Sequence, residues 1–297
     1  MPSIKSIRAF ILTMEQGSLT LAAQEMNLSQ PAASRLLQQL EEEFGSALFF
    51  RDKKTLIPSP QAELLYPELS RILSTYSEVP NILGALQHNE TLPFKVMAQT
   101  RCTLGLVVPA LARLGKKWPD LKIDLATNKR TELRRRMISD RFDVGVFALP
   151  LHIDFAEVVS VTPMTCRVVV SKNSPLAKLK SVTLEDLQEQ DYISVKEALT
   201  GKKAIENILA KSGDKLSIKH EVSNAYVGLS LVRQGLGYMV AERSTIDPAY
   251  LSDIRLLPLE NAPAIDYAIC VSKDMREHPA KADFIQILTD ILQEYSA

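Results

Sequence analysis

Gln30, Ser34 and Gln38 recur every four residues, with Arg35 directly after Ser34. A helix through this stretch presents the four side chains toward one side. Their chemistry is that of base-edge readers in the DNA major groove: arginine to guanine, glutamine to adenine, serine to either. Shortly downstream, residues 49–54 run Phe-Phe-Arg-Asp-Lys-Lys. The cations Arg51, Lys53 and Lys54 could there meet phosphates or a minor groove from a hairpin-like wing. The acidic run Glu41, Glu42, Glu43 comes only after the polar half of the helix, where a helix angled into a groove would be leaving the DNA. The same residues also fit a helical bundle whose polar face is merely solvated, because helix-turn-helix geometry occurs in proteins that bind no DNA.

The neighbouring residues supply the elements that would hold this face. Ser3 precedes an amphipathic run with Ile7, Phe10, Ile11 and Met14 on one side, the spacing of a packed helix. Gly17 stops it and Ser18 caps a second helix, Leu19 to Met26, that carries the small pair Ala22 and Ala23. After a short turn at Asn27 and Leu28, Ser29 caps a third helix with Pro31 in its first turn, where a missing N–H costs nothing. Ala33, Leu36, Leu37, Leu40 and Phe44 form its apolar face and Gly45 ends it. Two helices joined so tightly are a helix-turn-helix. Ser18, Thr20, Ser29, Pro31 and Ala32 are counted with Gln30, Ser34, Arg35 and Gln38 as candidate DNA contacts.

A second constellation lies beyond residue 90. FKVMA, a helix from Thr103, KIDLAT, a helix from Thr131 and DVGVF alternate as strands and helices, the mark of a parallel α/β sheet. A second block follows: CRVVVSK, DLQEQ, YISV, a helix from Lys203, IKHEVS, a helix to Gln234 and GYMVA. IDYAICVS and a last helix, Lys281 to Tyr295, close the chain. Open α/β sheets bind ligands at strand C-termini, beside helix N-termini whose free N–H groups favour anions. That rule selects Gln99, Thr100, Arg101, Cys102 and Thr103, then Asn128 and Phe147, then Ser194, Val195, Lys196 and Thr200, and Asn224. Arg101 and Lys196 would be the cationic partners of a carboxylate. Each polar position alone also fits an ordinary helix cap.

Catalysis finds no support. His88, His152, His220 and His278 lack metal-ligand spacing, and no GxSxG, HExxH or phosphate-cradling glycine loop occurs. GLG at 235–237 follows a helix and reads as a helix-to-strand turn. Arg134, Arg135 and Arg136 read as a solvated helix face. Cys102, Cys166 and Cys270 show no CxxC spacing and read as small buried hydrophobes. No catalytic residue, metal or cofactor is expected.

Between the two constellations, Leu65, Leu69, Ile72, Tyr76, Val79, Leu83 and Leu86 are spaced alternately by four and three. This is an a/d seam for pairing with another copy; a long helix packed on its own chain is the alternative. Pro67 and Pro80 should kink that helix or start it afresh. The chain of 297 residues suits about two domains. Lys plus Arg and Asp plus Glu both total 35, so overall charge argues neither for nor against nucleic acid. The opening residues lack a secretory pattern and no apolar run approaches a membrane span, so a cytoplasmic protein without a membrane partner is expected.

GSLTLAAQEMNLSQPAASRLLQQLEEEFGSALFFR resembles the N-terminal domain of LysR-type transcriptional regulators. The matching positions are Ser18, Ala22, Ala23, Ser29, Gln30, Pro31, Ala32, Ser34, Leu40, Glu41, Gly45, Leu48, Phe49 and Arg51. SPQAELL departs from the family's usual L-T-x-A-G by lacking the glycine. Farther on, VVVSKNSPLAKLKSVTLEDLQEQDYISV and LSLVRQGLGYMVA resemble the opening of the family's second effector subdomain and its V-x-x-G-x-G-I segment, with Ser174 where a histidine is usual. YISV and LVRQGLGYMVA are similar to members that sense amino-acid derivatives such as lysine precursors or opines.

The resemblance implies an α+β two-domain fold. A winged helix-turn-helix would occupy residues 1–60 and a dimerising linker helix residues 61–89. A periplasmic-binding-protein-like α/β effector domain of two subdomains would fill 90–297, with subdomain I about 90–163 and 269–297 and subdomain II about 164–268. The implied function is sequence-specific, effector-controlled transcriptional regulation, the effector an amino-acid-like or carboxylate metabolite. The implied partners are double-stranded promoter DNA, the small molecule and further copies of the chain as dimer or tetramer, with RNA polymerase a further candidate. A solute-binding protein and an enzyme with a DNA-binding appendage are the rivals. The first leaves residues 1–60 unexplained and the second lacks a catalytic constellation.

Overall fold

The computed structural model describes residues 1–52, 55–88, 91–153, 156–188, 190–196, 217–273 and 278–296. Lys53, Lys54, Thr200 and the helix expected from Lys203 lie outside the described residues. The chain divides into two compact units, Met1–Leu92 with Arg135–Arg141, and Pro93–Arg134 with Phe142–Ala297.

In the first unit, helix α1 (Ile4–Gln16) starts where Ser3 Oγ accepts the Ser6 N–H at 3.0 Å and stops at Gly17, whose φ of 62° lets its N–H return to the Thr13 carbonyl. Helix α2 (Leu19–Glu25) is capped by Ser18 and helix α3 (Gln30–Phe44) by Ser29, with Pro31 in the first turn and left-handed Gly45 at the end. The turn between them places Asn27 at φ 55°, a conformation asparagine tolerates because its side chain bonds locally. Ile7, Phe10, Ile11, Ala23, Ala33, Leu37 and Leu40 meet in one core with Leu48 and Phe49. Leu36 and Phe44 are only half-buried.

Strands β1 (Phe49–Asp52) and β2 (Thr55–Pro58) pair antiparallel as the expected wing. Ser59 Oγ then accepts the Ala62 N–H at 3.2 Å and opens helix α4 (Pro60–His88). The hydroxyl thus starts this helix without the missing glycine. Helix α4 does not restart at Pro67 or Pro80; both lie inside it. Each proline costs one N–H donor, leaving the Glu63 and Tyr76 carbonyls without their usual helical partner. Leu69 is buried against α1 and the wing, whereas Ile72, Tyr76, Val79 and Leu83 are exposed.

The second unit holds a five-stranded sheet in the order β4-β3-β5-β12-β6. Strands β3 (Phe94–Gln99), β4 (Ile123–Asn128) and β5 (Val144–Ala148) run parallel. Strand β12 (Ala264–Ser272) joins them antiparallel and carries β6 (Ala156–Thr165) at the edge. A continuous helical stretch follows β3: α5 (Thr100–Cys102), a π-helical turn (Thr103–Val107) and α6 (Val108–Lys117). It therefore begins three residues before the expected Thr103. Helix α7 (Arg130–Ser139) follows β4, and helix α10 (Lys281–Ser296) packs on this sheet through Phe284, Leu288, Ile291 and Leu292.

The other strands are β7 (Arg167–Ser171), flanked antiparallel by β10 (Met239–Ala241) and β11 (Ile254–Pro258), and β8 (Tyr192–Val195), parallel to β9 (Ile218–Val222). A Tyr192–Tyr238 bridge joins the two groups. Helix α8 (Leu184–Leu187) is one turn in a Thr183–Asp186 capping box, and helix α9 (Ala225–Arg233) leads into β10. Gly235 and Gly237, at φ 76° and 140°, make that helix-to-strand turn. A Cβ on Gly237 would lie 2.2 Å from the Asp191 carbonyl oxygen. Strands β6 and β11 were not anticipated. In β6, Val158, Val159 and Val161 are all exposed, so the edge strand lacks the buried alternation that marks a strand in sequence.

Candidate functional site

On α3 the structure separates the two faces. Ala33, Leu37 and Leu40 are buried, while Gln30, Pro31, Arg35 and Gln38 are exposed and Ala32 and Ser34 half-exposed. Ser18 and Ser29 spend their hydroxyls on the Leu21 and Ala32 N–H groups, each at 3.4 Å, so both shape the helix starts. Thr20 is exposed on the first turn of α2. Arg51 lies in β1. Glu41 is more than a solvated acid at the far end. Its Oε1 accepts the N–H groups of Leu48 and Phe49 at 2.8 and 3.2 Å. Helix α3 is thereby tied to the wing that follows it.

In the second unit a cleft opens between the strand ends of the two halves. It encloses about 530 Å³, counting space open to solvent, and is lined by Gln99, Thr100, Arg101, Arg130, Val195 and Asn224 together with Ala225, Tyr226, Met239, Val240, Ala241 and Thr245. Five expected positions meet there: Gln99, Thr100, Arg101, Val195 and Asn224. Gln99 is fixed by its Oε1, which accepts the Ala148 N–H at 2.9 Å. Asn224 caps α9 by accepting the Val227 N–H at 3.1 Å. Tyr226 hydroxyl donates to the Thr100 carbonyl, joining the two walls.

Apart from Thr200, which lies outside the described residues, the other expected positions do not line the cleft. Cys102 and Thr103 are buried, Thr103 donating to the Gln99 carbonyl at 3.4 Å. Phe147 is fully buried in a T-shaped contact with Phe142. Asn128 and Ser194 are buried, with Nδ2 and Oγ lacking a partner among the described residues. Lys196 is exposed and lies 3.7 Å from Glu221.

The role expected of Arg101 needs correction. Its guanidinium lies 2.6–2.7 Å from both carboxylate oxygens of Glu242, which is fully buried. Thr245 and Tyr267 hydroxyls also reach that carboxylate, at 2.9 and 3.2 Å, with the Cys166 thiol at 3.5 Å. Burial disfavours both charges, but the partner's charge and the hydrogen bonds and neighbouring groups around the pair together outweigh it. Glu242 is held below the usual carboxylate range and Arg101 above the usual arginine value. The pair is an internal device, already neutralised. The cysteines are buried thiols, and burial pushes Cys102 up to about 12.

Arg130 is a second cation in the cleft lining, one that the strand-end rule did not select. It donates to the Ala148 carbonyl at 3.3 Å and to the Pro150 carbonyl, and no carboxylate pairs with it among the described residues. Burial and the nearby charge of Arg101 lower its pKa from the usual arginine value. Arg130 opens the helix after β4, two residues past the Asn128 that the strand-end rule selected. The same rule, followed into the helix, would have found it. Met239, Val240 and Ala241 were legible as a strand but not as a wall of the cleft.

Residues 4–63 match the family described as bacterial regulatory helix-turn-helix protein, lysR family, and residues 90–293 match the LysR substrate binding domain. The chain is 23% identical over 240 residues to the HTH-type transcriptional regulator CysL of Bacillus subtilis, covering 81% of this chain and 80% of that one. It is 27% identical over 302 residues to the regulator CbbR of Xanthobacter flavus, covering 99% and 88%. Among solved structures, full-length CbnR complexed with its target DNA aligns with a TM-score of 0.61 at 16% identity, over 98% of this chain and all of that one. A full-length OxyR variant from Pseudomonas aeruginosa aligns at 0.59 and 19%, over 100% and 99%. These structures share the fold. Matched along most of its length by one family's two domains, and with relatives named as regulators and not as enzymes, the chain belongs to the LysR family of transcriptional regulators.

Proposed function

We propose that this regulator reads its promoter through Gln30, Ser34, Arg35 and Gln38 at the base edges, with Ser18, Thr20, Ser29, Pro31, Ala32, Arg51, Lys53 and Lys54 around them. A small carboxylate or amino-acid-like metabolite in the cleft sets its activity. The DNA-binding part is taken as residues 1–60, the linker as 61–89 and the effector domain as 90–297. The observation that carries the reading is the exposed polar face of α3, held by capped helix ends above an apolar core.

The exposed stripe Ile72, Tyr76, Val79 and Leu83 on α4 supports pairing of two copies, and pairs of such dimers would make a tetramer. Two heads on two half-sites multiply a weak single-helix affinity. Among the described residues no helix is long and apolar enough to cross a membrane. The working place would be the cytoplasm, beside promoter and RNA polymerase. The effector need only bind one arrangement of the cleft walls better than another. A coupling of about 1–3 kcal/mol then changes promoter occupancy.

Fluorescence anisotropy on the DNA upstream of this gene, against a scrambled duplex at two salt concentrations, tests the reading. Specific binding about a thousandfold above the scramble is expected. Absence of binding to either duplex refutes it, and salt-sensitive binding without preference refutes the assigned operator.

A further inference from the structure

We propose that the cleft selects a small monocarboxylate lacking an ammonium group, with Arg130 as its charge partner. This rests on the ligand-cleft reading above and narrows it.

The argument is one of charge balance. Of the two arginines in the lining, Arg101 is neutralised by Glu242 at 2.6 Å. Among the described residues Arg130 instead donates to the carbonyls of Ala148 and Pro150. Two carbonyls orient a guanidinium but bring no negative charge, and a guanidinium has five N–H donors, so three remain. Its lowered pKa has the same origin: burial, and the second positive charge of Arg101 nearby. With Arg101 already paired, one anion in the cleft would balance Arg130.

The rest of the lining fits such a guest. Ala225 and Tyr226 are the first residues of α9 and face the cleft. A helix leaves its first N–H groups without internal acceptors, so the wall away from Arg130 also offers donors. Val195, Met239 and Ala241 are apolar and give a short hydrocarbon body its surface. An ammonium group finds little. No carboxylate lines the cleft among the described residues, and the Thr100 carbonyl already accepts the Tyr226 hydroxyl. Burying an ammonium without an anionic partner is costly, so the amino-acid-like half of the expectation is disfavoured.

Isothermal calorimetry on the full chain tests this with butanoate, 2-aminobutanoate and butanamide, which share a four-carbon skeleton and differ in charge, and with the longer hexanoate. Butanoate or hexanoate should bind, the amino acid and the amide at least tenfold more weakly. Arg130→Gln should lose about tenfold to a hundredfold of carboxylate affinity, and Arg130→Lys should keep part of it because the charge remains. Thermal melts of both variants report whether the fold survives. Equal or tighter binding of 2-aminobutanoate overturns the ligand class, as does silence from both carboxylates. Unchanged affinity in a folded Arg130→Gln overturns the role of Arg130. Ala241→Trp separates the levels. Lost binding there leaves the cleft reading intact when Arg130 fails, whereas unchanged binding overturns both, and promoter binding by anisotropy depends on none of these ligands.

Discussion

Arg101 and Glu242 stand 141 residues apart in the chain and meet as a buried ion pair at 2.6–2.7 Å, one from the helix after β3 and the other from the end of β10. The pair joins the two halves of the effector unit behind the cleft. Removing one partner of a buried pair leaves an uncompensated charge, and Glu242→Gln should lower stability by about 3–5 kcal/mol. The double substitution Arg101→Met with Glu242→Leu should recover most of that loss. Urea titration of wild type and the variants decides it, and equal midpoints for wild type and Glu242→Gln would remove the pair from the stability account.

The same pair sets a pH dependence. Burial alone would raise the Glu242 carboxyl, but the charge of Arg101 together with hydrogen bonds, the Thr245 hydroxyl among them, outweighs it and holds the value below the usual 4.5. A carboxyl whose pKa falls on folding gives stability that is complete above the unfolded value and is lost as pH drops through the lowered one. Stability of the wild type should therefore fall below about pH 4.5 with a component that Glu242→Gln lacks. Parallel acid-unfolding curves for the two proteins would contradict this assignment.

Arg35 is exposed on the polar face of α3, and the proposed promoter reading assigns it to a base edge. Arg35→Ala should cost about 1–3 kcal/mol at the cognate site and relax preference at one base position. Its melting temperature should not change. Equal binding of wild type and variant in an anisotropy titration would move the recognition contact elsewhere.

The two halves of the molecule were not equally legible. The DNA-binding unit is built from local signals: Ser3, Ser18 and Ser29 cap their own helices, Gly17 and Gly45 end two of them, and the apolar face of α3 repeats with the helical period. Such information sits within a few residues. The cleft draws instead on β3, α7, β8, α9 and β10, so the strand-end rule could point to Gln99 or Asn224 but could not see what stands opposite. Arg101 reads as a free cation because its carboxylate, Glu242, follows β10 in another sheet, 141 residues away. Phe147 and Ser194 ended in the interior because strand position alone does not say which side of the sheet a ligand will occupy.

Glu41 yields a prediction that a solvated acidic run would not. Its carboxylate accepts two backbone N–H groups, from Leu48 and Phe49. Leaving such groups unpaired costs about 1–3 kcal/mol. Glu41→Ala should therefore destabilise the DNA-binding unit and weaken promoter binding through a misplaced wing. Glu42→Ala, one position on and exposed, should do neither. Hydrogen exchange at Leu48 and Phe49 reads the difference: faster exchange in Glu41→Ala alone supports the tie, and unchanged exchange dissolves it.

The linker helix offers the last test. Leu69 belongs to the core of the DNA-binding unit, but Val79 and Leu83, farther along the same four-three seam, are exposed. A helix packed on its own chain would bury them, and the proposed pairing of two copies would cover this open seam. Val79→Glu with Leu83→Lys places charges on that stripe without touching the Leu69 contact. Sedimentation velocity should show the wild type as a dimer or tetramer and the double variant as a monomer with intact helical content. Promoter affinity should fall with it, because a single recognition helix would then have to bind alone. A variant that still sediments with the wild type would place the contact between copies on another surface.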